Sequence, residues 1–115
     1  MLTVYWNKGE GNAYFPLERL NLENIKAEGV YVIWRSGTPP RTVKVGQGVV
    51  AERLKAQRYD SEVLAYKNSG LYVTWAAVSA AQRDGVGKYL ADWLLPLVGD
   101  AFPDVLPIEV NSPWG

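Results

Sequence analysis

The stretch Gly29-Val30-Tyr31-Val32-Ile33-Trp34, the turn Ser36-Gly37-Thr38-Pro39-Pro40 and the following Val43-Lys44-Val45-Gly46 determine the expected fold. Two apolar segments on either side of a turn rich in proline and glycine predict a β-hairpin. The first segment is apolar at every position, so we expect its strand to be covered on both faces. In the second segment, alternation predicts that Lys44 points away from the face on which the two valines pack.

After the hairpin, the sequence predicts a helix over 49–58, with Val50, Leu54 and Gln57 at the helical spacing i, i+4 and i+7. Arg53 and Gln57 share a face by the same spacing. This order of elements places the Tyr31 hydroxyl, the Gly46 backbone and the Arg53 guanidinium within reach of one cleft. A phenol and a guanidinium can both donate to a developing negative charge, so the pair suits a phosphodiester ligand.

The rest of the chain predicts further short elements. Asp60 is suited to cap a helix running through Lys67, and Ser79 and Gln82 match a capping box for a helix that ends near Leu95. Strands are expected over 2–6 and 71–78, and residues 13–28 are expected to be irregular or briefly helical. Residues 98–115 are expected to extend over the core, with 108–110 as an edge strand. The sequence thus predicts one α/β domain over 1–115, an α+β sandwich with a small mixed or antiparallel three-stranded sheet and flanking helices.

Composition limits the chemistry that this domain can perform. The chain has 115 residues, with no histidine and no cysteine. This excludes serine–histidine triads, histidine-ligated zinc, disulfides and thiolate chemistry. No apolar run approaches the roughly 20 residues that span a bilayer. Its first residues lack the features of a secretory signal, and we expect a cytoplasmic protein with no membrane partner.

Charge is balanced overall but unevenly distributed. Twelve basic and twelve acidic residues cancel, which argues against strong non-specific DNA binding. Between 35 and 58, six basic residues face only Glu52, a local charge of +5, whereas residues 84–115 carry −4. The basic segment suits phosphate groups, and the same pattern also fits a dipolar surface without a ligand.

These residues resemble the GIY-YIG nuclease domain. Gly29-Val30-Tyr31 is similar to the Gly-Ile-Tyr element, and Lys44-Val45-Gly46 stands where Tyr-Ile-Gly is expected. Arg53 takes the position of the family's helix arginine, and Asn111 matches the asparagine that closes the domain. The resemblance covers residues 29–111, with 1–28 as an N-terminal extension. It implies DNA strand cleavage in which tyrosines, the arginine and a glutamate-bound Mg²⁺ act on the phosphate.

Three departures fall on that chemistry. Lys44 replaces the second tyrosine, Gln57 replaces a histidine, and Gly87 occupies the position of the metal-binding glutamate. Gly87 itself has three explanations: it faces a cleft without the family's metal ligand, it allows close approach of helix and sheet, or it lies in the first turn of a helix beginning at Asp84. Asp84 is the alternative carboxylate for a metal.

The resemblance and its departures give three hypotheses about function. The first is a degenerate, non-catalytic domain that binds nucleic acid weakly, or another phosphate-bearing ligand, through Arg53, with Lys44 and Arg58 supplementing it and Tyr31 donating a hydrogen bond. The second is an active Mg²⁺-dependent endonuclease that uses Asp84 or another carboxylate. The third is a protein-interaction or homodimerising module with exposed aromatic residues. The less constrained aromatics are Tyr5, Trp6, Tyr14, Tyr59 and Trp114, whereas Trp34, Tyr72, Trp75 and Trp93 are expected in the core.

Overall fold

The predicted hairpin forms one half of a four-stranded antiparallel sheet. A computed structural model describes residues 1–99, 102 and 104–115. The strands are β1 (Phe15–Pro16), β2 (Glu28–Arg35), β3 (Arg41–Val49) and β4 (Leu71–Ala77), in the spatial order β1-β4-β2-β3. The predicted fold class is therefore confirmed, with a two-residue edge strand added to the three strands expected.

Within the described residues, three α-helices accompany the sheet: α1 (Val50–Gln57), α2 (Ser61–Leu64) and α3 (Arg83–Leu94). The predicted cap of α2 is confirmed, because the Asp60 carboxylate accepts hydrogen bonds from the backbone of Glu62 and Val63. None of the helices in the described residues is long and apolar enough to span a membrane. Single 3₁₀ turns lie at Glu10–Asn12, Leu22–Asn24 and Lys67–Ser69.

Strand β2 is buried on both faces, as its unbroken apolar sequence predicts. On the face that we call the α1 face, Tyr31 and Ile33 pack with Leu54 of α1. On the opposite face, the α3 face, Val32 packs with Leu90 of α3. The sheet therefore separates two hydrophobic clusters, and a side chain of β2 or β3 belongs to one or the other.

A β-bulge in β3 overturns the alternation predicted for the hairpin. Lys44 lies opposite Ile33 and Thr42 opposite Trp34, so Val43 is an extra residue between them. As a result Val43 packs on the α1 face and Val45 on the α3 face, rather than together. The register places Lys44 opposite Ile33 on the α1 face. Lys44 therefore lies on the same face as Val43, whereas alternation predicted that it points away from both valines.

The strand predicted over 2–6 is wrong. Leu2 makes one isolated parallel bridge to Val110. The edge strand predicted over 108–110 is likewise reduced to this single bridge. The reason is that a side chain takes the place of a strand partner. The Asn111 amide accepts from the Val4 N–H at 2.7 Å and donates to the Val4 carbonyl at 3.0 Å.

The capping box predicted for α3 is also wrong. The Ser79 hydroxyl donates to the Gln82 side chain at 3.0 Å, so the two side chains satisfy each other instead of backbone N–H groups. Helix α3 begins after this turn, at Arg83, and has no side-chain cap. Its predicted end is confirmed to within a residue, and Arg41 donates to the carbonyl of Leu95 there at 3.1 Å.

Candidate functional site

Tyr31, Gly46, Arg53 and Gln57 meet on the α1 face, as the order of elements predicts. Tyr31 and Gly46 are opposite each other in the β2–β3 ladder. The phenol ring and hydroxyl of Tyr31 fill the space that a side chain at Gly46 would need. Gln57, one turn after Arg53 on α1, is buried, and its side chain is close enough to Tyr31 to influence the pKa of the phenol. The strand and the helix thereby form one polar cluster, which we call the Tyr31 cluster.

Arg53 lies at the outer side of this cluster and is exposed. Its side chain runs along the bare backbone of Gly48, with Nε 3.1 Å from the position that a Cβ would take there. Gly48 has a φ of +126°, a conformation that side-chain-bearing residues rarely adopt. The ion pairs among the described residues join Arg83 to Glu28 and Lys88 to Asp92, so none of them engages Arg53.

The Tyr31 hydroxyl is held in its protonated form. Burial raises the pKa of Tyr31 to about 12, which outweighs the opposing effects of the Arg53 guanidinium and the Gln57 side chain. Asp60 is close enough to raise the pKa further. Within the described part of the chain, the Gln57 Oε1 atom is buried without a hydrogen-bond partner. The cluster is therefore neutral and protonated at its centre, with its positive charge on Arg53 outside.

The two other basic residues of the predicted site lie differently. Lys44 is half-buried on the α1 face, and its stem lies beside Gly99. Arg58 donates from Nε to the Leu17 carbonyl at 2.9 Å and from Nη2 to the Leu20 carbonyl. These bonds fix the N-terminal segment to the end of α1, so Arg58 has a structural role that the sequence did not indicate.

A cavity of about 640 Å³ lies beside Arg58 and not at the Tyr31 cluster. Its lining includes Arg19, Arg58 and Lys67, with Glu18 as an acidic neighbour. Because the Arg58 guanidinium already bonds two backbone carbonyls, we place the candidate ligand contact at the exposed Arg53 rather than in this cavity.

Asp84, the alternative carboxylate, lies on the other side of the edge strand. It accepts a hydrogen bond from the side chain of Gln47, which is opposite Val30 and so belongs to the α3 face. Arg53 and Asp84 thus flank neighbouring positions of β3 from opposite faces. Over residues 1–99, 102 and 104–115, no three acidic side chains form a group that could hold a metal ion.

Gly87 is covered by an aromatic ring. A Cβ built at this position would collide with the ring of Phe102. Its neighbour Gly85 is similarly close to Ile108, whose Cδ1 would lie 2.6 Å from an added Cβ. Of the three explanations for Gly87, the structure favours close approach, but the approaching partner is the C-terminal segment and not the sheet. A glutamate at Gly87 would have to displace Phe102, so the residues present do not fit the Mg²⁺ site that the resemblance implies.

Asn111 is separate from the Tyr31 cluster. Its side chain holds Val4, and its carbonyl accepts from the indole N–H of Trp6 at 2.9 Å. Trp6 and Val110 belong to the cluster of the α3 face. In this chain Asn111 therefore fastens the N-terminal segment to the C-terminal one.

The aromatic residues are distributed differently from the sequence prediction. Trp6 is buried, whereas Trp93, expected in the core, is 48% exposed. Trp93 lines a cavity of about 440 Å³ with Tyr14, Trp34 and Trp114, which we call the aromatic cavity. The sequence did not indicate this cavity, because its four rings come from four separate segments. Tyr5 and Tyr59, which the sequence left unconstrained, are exposed.

Comparisons of this chain with models of known protein families, with curated proteins and with solved structures find no match.

Proposed function

We propose that this protein is a GIY-YIG-like domain of the cytoplasm that binds phosphate groups of nucleic acid through Arg53 and does not cleave them. The proposal rests on the resemblance of the sequence and on the geometry of the Tyr31 cluster. It requires an accessible cation held in a fixed position, and a scaffold without room for the metal ligand.

The observation that carries the proposal is the placement of Arg53. Its guanidinium is exposed, and its stem runs along Gly48, where no side chain restricts access. A guanidinium with free donors binds phosphate oxygens in a bidentate manner. Lys44 shares the same face of β3 and adds positive charge along the edge strand.

Tyr31 and Gln57 support Arg53 rather than contact the ligand in this proposal. Tyr31 is 2% exposed, so its ring has almost no surface to offer. Its protonated hydroxyl and the Gln57 amide form an uncharged polar surface beneath the arginine. Because the phenol stays protonated at neutral pH, it does not act as a general base toward water.

Contacts of Phe102 and Gln47 support the proposed absence of cleavage. Phe102 occupies the space beside Gly87, and the Asp84 carboxylate is engaged by the side chain of Gln47. A divalent cation normally supplies several kcal/mol of charge stabilisation in phosphodiester hydrolysis. Because protein contacts occupy both Gly87 and Asp84, we propose that the domain binds phosphate groups without the charge stabilisation that a divalent cation supplies.

Fluorescence anisotropy with a short labelled DNA at low salt tests the proposal. We expect the wild type to bind and Arg53→Ala to weaken binding about tenfold, while Lys55→Ala, an exposed cation on the same helix, changes it less than twofold. Plasmid nicking by the wild type in Mg²⁺ and Mn²⁺ tests the alternative. Nicking that disappears in Arg53→Ala would support the active endonuclease and overturn the non-cleaving proposal.

A further inference from the structure

The aromatic cavity has walls at right angles to one another. Tyr14 and Trp34 meet edge to face, with centroids 4.8 Å apart and planes at 89°. Trp34 and Trp114 meet in the same way at 5.5 Å and 88°. Trp93 lies at the mouth, half exposed. Because Trp34 is buried among these rings and also stacks on Tyr72, the ring surface open to a ligand is that of Trp93 and Trp114. A flat ring can stack on these exposed aromatic faces.

Two basic side chains lie at or near the aromatic cavity. Arg41 lines it, exposed, and uses one nitrogen to hold the Leu95 carbonyl. Lys8 lies over the Tyr14 ring, with Nζ 5.0 Å from the centroid. Of the described residues that line the cavity, none is acidic. This charge repels a quaternary ammonium ligand and attracts an anion, so the cavity suits a flat ring that carries a negative group.

We propose that the aromatic cavity binds a nucleobase of a single-stranded nucleic acid, with the attached phosphate at Arg41. This inference rests on the proposed function and names its ligand more closely. In double-stranded DNA the bases are stacked on each other and cannot enter such a cavity, whereas an unpaired base stacks on exposed aromatic side chains.

The position of the cavity relative to Arg53 supports a chain rather than a single nucleotide. Thr42 lines the cavity, and Gly48 lies under Arg53. These two residues are at opposite ends of β3, about 20 Å apart at roughly 3.3 Å per residue. Lys44 lies between them. Because the cavity lies on the α3 face and Lys44 and Arg53 lie on the α1 face, a nucleic acid that contacts both has to pass around the outer edge of β3. A phosphate backbone of a few nucleotides has the length to do so.

The experiment measures binding of an oligothymidylate of about eight nucleotides and of thymidine monophosphate to the intact chain. Trp93→Ala is the main variant, since a half-exposed side chain is removed with little effect on the fold. Tyr5→Ala is the matched control, an exposed aromatic residue outside the cavity. Indole N–H signals in NMR spectra report on Trp93 and Trp114, with buried Trp75 on the α1 face as the internal reference.

We expect Trp93→Ala to weaken oligothymidylate binding about tenfold and Tyr5→Ala to leave it unchanged. The indole signals of Trp93 and Trp114 should shift while that of Trp75 stays. Thymidine monophosphate should shift the same two signals at higher concentration, including in Arg53→Ala. A mononucleotide that binds as tightly as the oligonucleotide would overturn the single-stranded chain as the ligand.

The two proposals fail in different ways. If Arg53→Ala weakens oligothymidylate binding and Trp93→Ala does not, the cavity proposal is wrong and the phosphate site stands. If only Trp93→Ala has an effect, the cavity stands and the phosphate site is wrong. No binding by the wild type at low salt refutes both. A wild-type dimer that becomes a monomer in Trp93→Ala would show that the cavity is a subunit contact and refute the nucleobase.

Discussion

The ring and hydroxyl of Tyr31 occupy the space beside Gly46, where any other residue would place its Cβ. The two residues are partners across the β2–β3 ladder, so the glycine is required by the tyrosine opposite it. This relationship joins the two motifs that carry the resemblance in the sequence. It also explains physically why one motif ends in glycine when the other ends in tyrosine.

Gly46→Ala should destabilise the fold. The added methyl group must displace the Tyr31 ring, which is held between the sheet and α1, and overpacking of this kind costs about 1–3 kcal/mol. Urea denaturation measures the change in the free energy of unfolding. Lys55→Ala on exposed α1 surface is the control, with an expected change within about 0.5 kcal/mol. Equal stabilities of Gly46→Ala and wild type would show that the tyrosine does not occupy this space.

Tyr31 should make stability depend on pH in the alkaline range. Its pKa is about 12 in the folded protein and 10.0 in the unfolded chain. The pKa of Tyr31 is higher in the folded protein than in the unfolded chain. The protonated phenol therefore contributes its full stabilisation of the folded state below pH 10, and this stabilisation is lost as pH rises from about 10 to 12. The loss is on the order of 2–3 kcal/mol over that window. Urea midpoints from pH 9 to 11 should fall more steeply in the wild type than in Tyr31→Phe, and parallel curves would contradict this.

The effect of Gly87→Ala on stability should change sign when Phe102 is replaced by alanine. In the wild type the added methyl group collides with Phe102, and we expect a destabilisation of about 1–3 kcal/mol. In a Phe102→Ala background the same change should stabilise by up to about 1 kcal/mol, since alanine favours the helix over glycine. A double-mutant cycle measured by thermal unfolding tests the coupling. Additive effects would place Phe102 away from Gly87.

Arg58 and Arg53 should separate into structural and binding roles. Arg58→Ala removes two hydrogen bonds to backbone carbonyls and leaves those carbonyls unpaired, at a cost of about 2 kcal/mol. Arg53→Ala removes an exposed side chain and should change stability by less than about 0.5 kcal/mol. Chemical denaturation of the two variants under identical conditions tests this difference. A larger destabilisation by Arg53→Ala than by Arg58→Ala would contradict the assignment.

The sequence predicted the elements whose patterns are long and regular. The unbroken apolar run of β2, the helical spacing of α1 and the acidic cap at Asp60 all correspond to observed structure. Local propensity and periodicity are sufficient there because burial and backbone hydrogen bonding favour the same conformation. The meeting of Tyr31, Gly46 and Arg53 followed from the order of those elements alone.

What could not be predicted depends on contacts between distant segments. The bulge at Val43 breaks an alternation that the sequence shows as regular. Trp93 follows the helical spacing of buried residues but lies at the open end of the aromatic cavity. Gly87 is explained by Phe102, and Val4 is bonded by Asn111 instead of a strand. None of these pairings has a local signal, since each depends on where the remote partner packs.

The salt dependence of DNA binding in the wild type and in Arg53→Ala tests the central claim most directly. For single strands, each phosphate that a protein neutralises adds about 0.7 to the slope of log affinity against log salt concentration. We predict that the slope of Arg53→Ala is shallower than that of the wild type by this amount, while Lys55→Ala keeps the wild-type slope. The same slope in wild type and Arg53→Ala would mean that Arg53 binds no phosphate, and would contradict the account.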